Sequence, residues 1–205
     1  MVLVQEKATT VTQWMSWEDG VDLVAKTHPE LAEPNVIVHV ARMVHTPVGS
    51  TPAGMVLYQP DPSKVPEIMG FVCEDEKVGA YFGPHIFANT PFENAPILKA
   101  KITIASGKNN FSNMETDKLT DFCWFTQIQI GSTKIETWLD FPVEKSYELV
   151  HRQPGQLPFY QQALECQTHK ALFSFNGQFI DLHLPEVSIN GGPAAMHSPS
   201  GTYSR

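Results

Sequence analysis

Cations are scarce in this chain. Its 14 Lys and Arg stand against 22 Asp and Glu, a formal net charge of −8, and no stretch clusters the basic residues. Nucleic acid binds where several cations on one face neutralise phosphates, and an anionic membrane surface asks for the same. Both partner classes are disfavoured. Cysteine is scarcer still. Cys73, Cys123 and Cys166 are odd in number and widely spaced, which makes neither a disulfide framework nor a zinc pattern. No apolar run approaches the ~20 residues of a membrane span. The opening MVLVQEKATTVTQW lacks a basic region followed by an apolar one, so no signal peptide is expected and the cytoplasm is the default location.

Sequence signatures of common chemistries are missing as well. There is no Gly-x-Gly-x-x-Gly, no Walker loop, no Gly-x-Ser-x-Gly elbow and no His-Glu-x-x-His helix, so nicotinamide, nucleoside-triphosphate, serine-hydrolase and zincin readings lose weight. His39 and His45 stand six residues apart on one expected strand, roughly 20 Å at strand rise, too far to share an ion. Neither a metal nor a cofactor is expected.

What is present points to many short elements. The 205 residues suit one domain, residues 1–205, and 16 prolines and 13 glycines are spread throughout. Three helices are expected. In the first, Ser16 caps a run in which Trp17, Val21, Val24 and Ala25 recur at helical spacing until His28-Pro29, giving an N-terminal helical segment over residues 1–34. The second is short, with Asp75 as cap, Val78, Tyr81 and Phe82 on one face, and Gly83-Pro84 as stop. The third opens at Pro158 and turns Phe159, Ala163 and Cys166 inward. Strands are expected over 36–45, 53–58, 67–73, 97–105, 121–130, 133–141, 170–175 and 178–184.

Two turns set registers. Asn176-Gly177 between apolar runs signals a type I′ hairpin, and Gly131-Ser132 fits the Gly-first type II′ turn. Counting outward from the second places Ile128 opposite Ile135, Thr126 opposite Thr137, Trp124 opposite Leu139 and Phe122 opposite Phe141. A slip of one residue would scatter this set over both faces. The other face pairs Phe125 with Trp138, Gln127 with Glu136, Gln129 with Lys134 and Cys123 with Asp140. Two large aromatics beside amide and carboxylate groups suit the wall of a ligand cavity; a face half covered by a helix is the alternative.

The fold class is therefore mainly β with a few short helices: about eight antiparallel strands in a barrel-like arrangement. In strand count and hairpin order the middle and end of the chain resemble a lipocalin-type (calycin) barrel, which implies an enclosed site for one small apolar molecule. The chain departs from that family in lacking its Gly-x-Trp motif at Trp14 and Trp17.

Strand 36–45 is apolar on both faces, so some of its polar side chains sit inside. Arg42 shares one face with four valines, and His39 shares the other with Ile37 and Ala41. A buried Arg needs an acceptor, for which Glu136 or a backbone carbonyl is available; an Arg near the strand's end reaching solvent is the alternative. Residues 84–96, a Pro-rich segment with Phe87, Phe92 and His85, read as a lid loop over a rigid sheet. The expected activity is binding of a small apolar organic molecule, with acid–base chemistry of a cofactor-independent isomerase, cyclase or lyase. Arg42, His85 and Glu136 are the candidate catalytic groups. His39, Tyr81, Phe87, Phe125, Gln127 and Trp138 are the candidate ligand-binding residues. A non-catalytic carrier and a homodimeric interaction module are the alternatives.

Overall fold

The computed structural model describes residues 13–108, 122–141, 146–153 and 159–205. The chain is mainly β, and its strands form two sheets packed face to face. The larger sheet holds β1 (Trp14–Ala25), β2 (Val36–Thr46), β3 (Gly49–Tyr58), β4 (Ile68–Cys73), β5 (Ile97–Lys99), β9 (Glu148–Arg152), β10 (Tyr160–Gln167) and β13 (Ala195–Ser204). Its order is β5-β4-β3-β2-β1-β13-β10-β9. The smaller sheet holds β6 (Lys101–Lys108), β7 (Phe122–Ile130), β8 (Thr133–Asp140), β11 (Lys170–Phe175) and β12 (Gln178–Ile180), in the order β12-β11-β8-β7-β6. Only β4 and β5 run parallel among these pairs. Neither sheet closes on itself among the described residues, so barrel closure of the calycin type is not seen there. No helix among them is long and apolar enough to cross a membrane.

The two expected turns form as read. Asn176 and Gly177 both take positive φ (52° and 82°), as a type I′ turn demands. Gly131 alone takes positive φ (55°) in the other, as type II′ demands. The β7–β8 register pairs Ile128 with Ile135, Thr126 with Thr137 and Trp124 with Leu139. These side chains face the larger sheet, where Ile128, Ile135 and Leu139 pack against Val21, Leu23, Val38 and Val56. Burying such Val, Leu or Ile side chains contributes about 1.5–3 kcal/mol each.

Two expected helices are strands. Residues 14–25 form β1, paired with β2 on one side and β13 on the other. Residues 160–167 form β10, and Pro158 lies outside the described residues. The second helix stands: α1 (Glu76–Tyr81) begins where Asp75 Oδ1 accepts from Lys77 N at 2.9 Å. It runs into one wide turn over Phe82–Ile86, closed by Phe87 N donating to Phe82 O at 2.8 Å. Pro84 inside that turn has no N–H to continue the tighter ladder. The expected strand 97–105 is divided at Ala100, whose N–H bonds Cys73 O at 2.9 Å as the chain passes from the larger sheet to the smaller. The C-terminal segment is a central strand, β13, between β1 and β10.

The larger sheet is covered on both faces. Its inner face meets the smaller sheet, and its outer face carries α1 and the 82–96 loop over Val24, Ile37, Ala53, Met55 and Phe71. β1 and β2 each exchange faces part-way along. Asp19 takes φ 49° in β1, and β2 carries a bulge against β3 between Ala41 and Val44. Trp17 and Val24 thus share the outer face, although strict alternation over seven residues would oppose them.

Candidate functional site

A cavity of about 520 Å³ lies on the outer face of the larger sheet. Strands β1, β2, β3 and β13 form its floor; Phe82, Phe87, Thr90, Pro91 and Phe92 cover it, and Ile189 and Asn190 border it. The covering loop is held by its own side chains. Thr90 Oγ1 donates to Phe87 O at 2.7 Å, and Asn89 N donates to Glu93 Oε2 at 2.7 Å. Phe87 lies against Phe71 of β4, with ring centroids 5.3 Å apart, and meets Phe92 edge-on at 6.2 Å.

Trp17 supplies one wall. Its Nε1 donates to Ser198 Oγ at 2.9 Å, and Tyr203 meets its ring edge-on at 5.1 Å. The indole lies across β13 because Gly201 has no side chain there: a Cβ on Gly201 would sit 2.1 Å from Trp17 Cζ2. Two residues of the floor are ionisable and joined. Asp22 and His39 are direct cross-strand partners, and His39 Nδ1 lies 2.8 Å from Asp22 Oδ1. Both side chains are about one-fifth exposed (20% and 19%). His39 Nε2 is shielded from solvent and has no hydrogen-bond partner among the described residues. With Asp22 accepting from Nδ1–H, Nε2 is the ring nitrogen left without a partner among the described residues.

Behind Tyr203 stands a second buried pair, Arg152 with Glu165, in which Gln161 Nε2 also donates to Glu165 Oε1 at 2.9 Å. Burial raises the Glu165 carboxyl above the ordinary carboxylate range, against the lowering effect of Arg152. Burial, and next the Asp22 carboxylate, push the Tyr203 phenol well above its ordinary value, while a hydrogen bond with Asn190 acts the other way. Tyr203 therefore stays a protonated donor at any ordinary pH.

The residues singled out from sequence are divided among different places. His39 and Phe87 line the cavity. Tyr81 and His85 stack on each other at 4.5 Å and tie the loop to the start of β1, through Tyr81 Oη with the Trp14 backbone and His85 Nδ1 with Gln13 Nε2. Arg42 is half-exposed and pairs with Asp19 at 2.6 Å and Glu18 at 3.3 Å. The hydrogen bond and charge of Asp19 raise its pKa further. Glu136 is on the far face of the smaller sheet, 3.0 Å from Lys134 Nζ. Phe125 and Trp138 share that face, where Leu172 and Phe179 of the neighbouring strands pack beside them in a small apolar cluster, and Gln127 pairs with Glu136 across the hairpin. Arg42, His85 and Glu136 are therefore not brought together. Each is engaged separately, Arg42 by Asp19 and Glu18 of β1, His85 by Tyr81 and Gln13, and Glu136 by Lys134 of its own strand, so the expected Arg42–Glu136 pair is replaced by Arg42–Asp19 and Lys134–Glu136.

Sequence reasoning missed Asp22, Trp17 and Tyr203. Among the described residues, no group of three or more His, Cys, Asp and Glu is placed to hold a metal ion. No protein-family model matches the chain, and neither a curated protein nor a solved structure does.

Proposed function

We propose that the chain binds a small, largely apolar organic molecule between the larger sheet and the 82–96 loop, and that His39, oriented by Asp22, exchanges a proton with it. The observation that carries this reading is the 2.8 Å His39–Asp22 pair set into a wall that is otherwise mostly apolar. A volume of about 520 Å³ suits one drug-sized molecule. The reading does not depend on closure into a calycin-type barrel.

The chemistry is that of a cofactor-independent isomerase or lyase. His39 Nε2 takes a proton from an activated carbon, the electron pair stays on the substrate as an enolate, and the same imidazolium returns a proton at the same or a neighbouring atom. Asp22 stabilises the imidazolium while it exists. Tyr203 and Asn190 are the neutral groups available to a developing oxyanion. Arg42, His85 and Glu136 have no part in this scheme. A carrier is the second reading, favoured by the same apolar walls.

The test is hydrogen exchange. Aryl ketones, neutral and amine-bearing, are incubated with the protein in D2O, and loss of the α-proton signal is followed by NMR beside binding by calorimetry. Exchange that disappears in His39→Gln while binding persists supports the enzyme. Binding without exchange in the native protein supports the carrier. If no ketone binds, the reading fails.

A further inference from the structure

The charge and surface of the same cavity narrow the ligand further, on the premise that the proposed binding site is right. Five aromatic rings line it: Trp17, Phe82, Phe87, Phe92 and Tyr203. Apart from the Tyr203 phenol, its ionisable lining consists of Asp22 and His39 in the floor and Glu33 exposed at the edge, and no Lys or Arg lines it among the described residues. Arg152, whose charge is felt at Tyr203, is already matched by Glu165. The chain as a whole carries eight more acidic than basic charges, which adds to the negative potential around an opening.

Each ligand class meets these walls differently. A carboxylate or phosphate would lie against Asp22 and Glu33 with no cation to receive it. A neutral molecule would gain apolar contact and nothing from the acids. A cation with an apolar body would gain both the negative faces of the rings and the field of the carboxylates, in a site partly shielded from water.

We propose that the cavity selects an organic cation, an ammonium group carried on an apolar or aromatic body. The ammonium lies among Trp17, Tyr203 and Phe92, with Asp22 as the counter-ion it shares with His39. An amine-bearing substrate also suits proton transfer, because a positive charge close to the reacting carbon makes its proton more acidic.

Three phenols of similar size test this by calorimetry on the full chain: 4-hydroxyphenyltrimethylammonium, 4-tert-butylphenol and 4-hydroxybenzenesulfonate. The first two differ in charge and hardly in shape. The expected order is cation, neutral, anion, with the cation roughly tenfold tighter than its tert-butyl isostere. Phe92→Leu keeps an apolar wall and removes a ring face. It should weaken the cation by about fivefold and change the neutral phenol by less than about twofold. Asp22→Asn should act in the same sense and serves as the second variant if Phe92→Leu loses its native circular dichroism. Equal affinity for the cation and its neutral isostere, or preference for the sulfonate, overturns the inference and leaves the apolar cavity standing. Failure of all three to bind overturns the cavity reading itself.

Discussion

Gly201→Ala adds one methyl group beneath Trp17 and should be among the most damaging single-carbon changes in the protein. The new Cβ would stand 2.1 Å from Cζ2 and 2.6 Å from both Cε2 and Cη2 of the indole. Ordinary contact begins near 3.4 Å, so the ring must retreat by about 1.3 Å. It has little room, being nine-tenths buried and crowded by Gly20 on its other edge, where a Cβ would lie 2.9 Å from Cδ1. Overpacking of this kind costs about 1–3 kcal/mol. Displacing Nε1 from Ser198 Oγ, now 2.9 Å away, costs about 1 kcal/mol more. Urea unfolding followed by far-ultraviolet circular dichroism should therefore show a loss of about 2–4 kcal/mol. The decisive measurement is the cycle with Trp17→Leu. That change alone is expensive, about 3 kcal/mol or more, but it removes the ring that the methyl group strikes. Gly201→Ala should cost under about 0.5 kcal/mol in the Trp17→Leu background. Full additivity of the two changes would refute the contact as the cause.

Three further outcomes follow from the same packing. Arg152→Ala should destabilise by about 3 kcal/mol or more, because it strands the buried Glu165, whereas Arg42→Ala on the open surface should leave the urea midpoint unchanged within error. Asn176→Ala should cost about 1–2 kcal/mol in the same assay, since it puts a β-carbon residue without a local acceptor at φ 52° and removes the bond from Lys134 N to Asn176 Oδ1. Tyrosine titration at 295 nm should show phenols that resist ionisation until the chain unfolds. Burial raises Tyr203, Tyr58 and Tyr147 in the folded state, so the unfolded state loses protons first above pH ~10 and stability falls as pH rises. Tyr203→Phe should flatten that fall, and an unchanged alkaline slope would remove Tyr203 as its source.

The legible parts of the fold were those fixed by short-range chemistry. The Gly131-Ser132 and Asn176-Gly177 turns form as read, and counting outward from the first of them gave the β7–β8 register. Asp75 announced α1 by its cap. β1 was illegible for a physical reason. Buried residues on both faces, with an exchange of faces at Asp19, place Trp17, Val21, Val24 and Ala25 at intervals that mimic a helix. β10 misled differently: its buried positions include the polar Gln161 and Glu165, which pattern rules assign to water. His39 and Phe87 were found because a strand apolar on both faces and a loop rich in aromatics are local signals. Asp22 was not, since its meaning comes from being opposite His39 across β1 and β2, and the segment joining those strands is too long to count through. Read as a strand, residues 20–25 would have offered a lone acid flanked by buried aliphatics, which is the signal that was there to find.

The mid-strand exchange of faces also governs which changes the protein tolerates. Along β1, a substitution scan should trace two combs set out of phase, their teeth shifting by one position at Asp19. β2 should repeat the offset between Ala41 and Val44. Deleting the single residue that carries either offset would bring the combs into step with Trp17 and Val44 still on the outer face, whereas straightening either strand at full length would turn them toward the smaller sheet and empty the wall they now form.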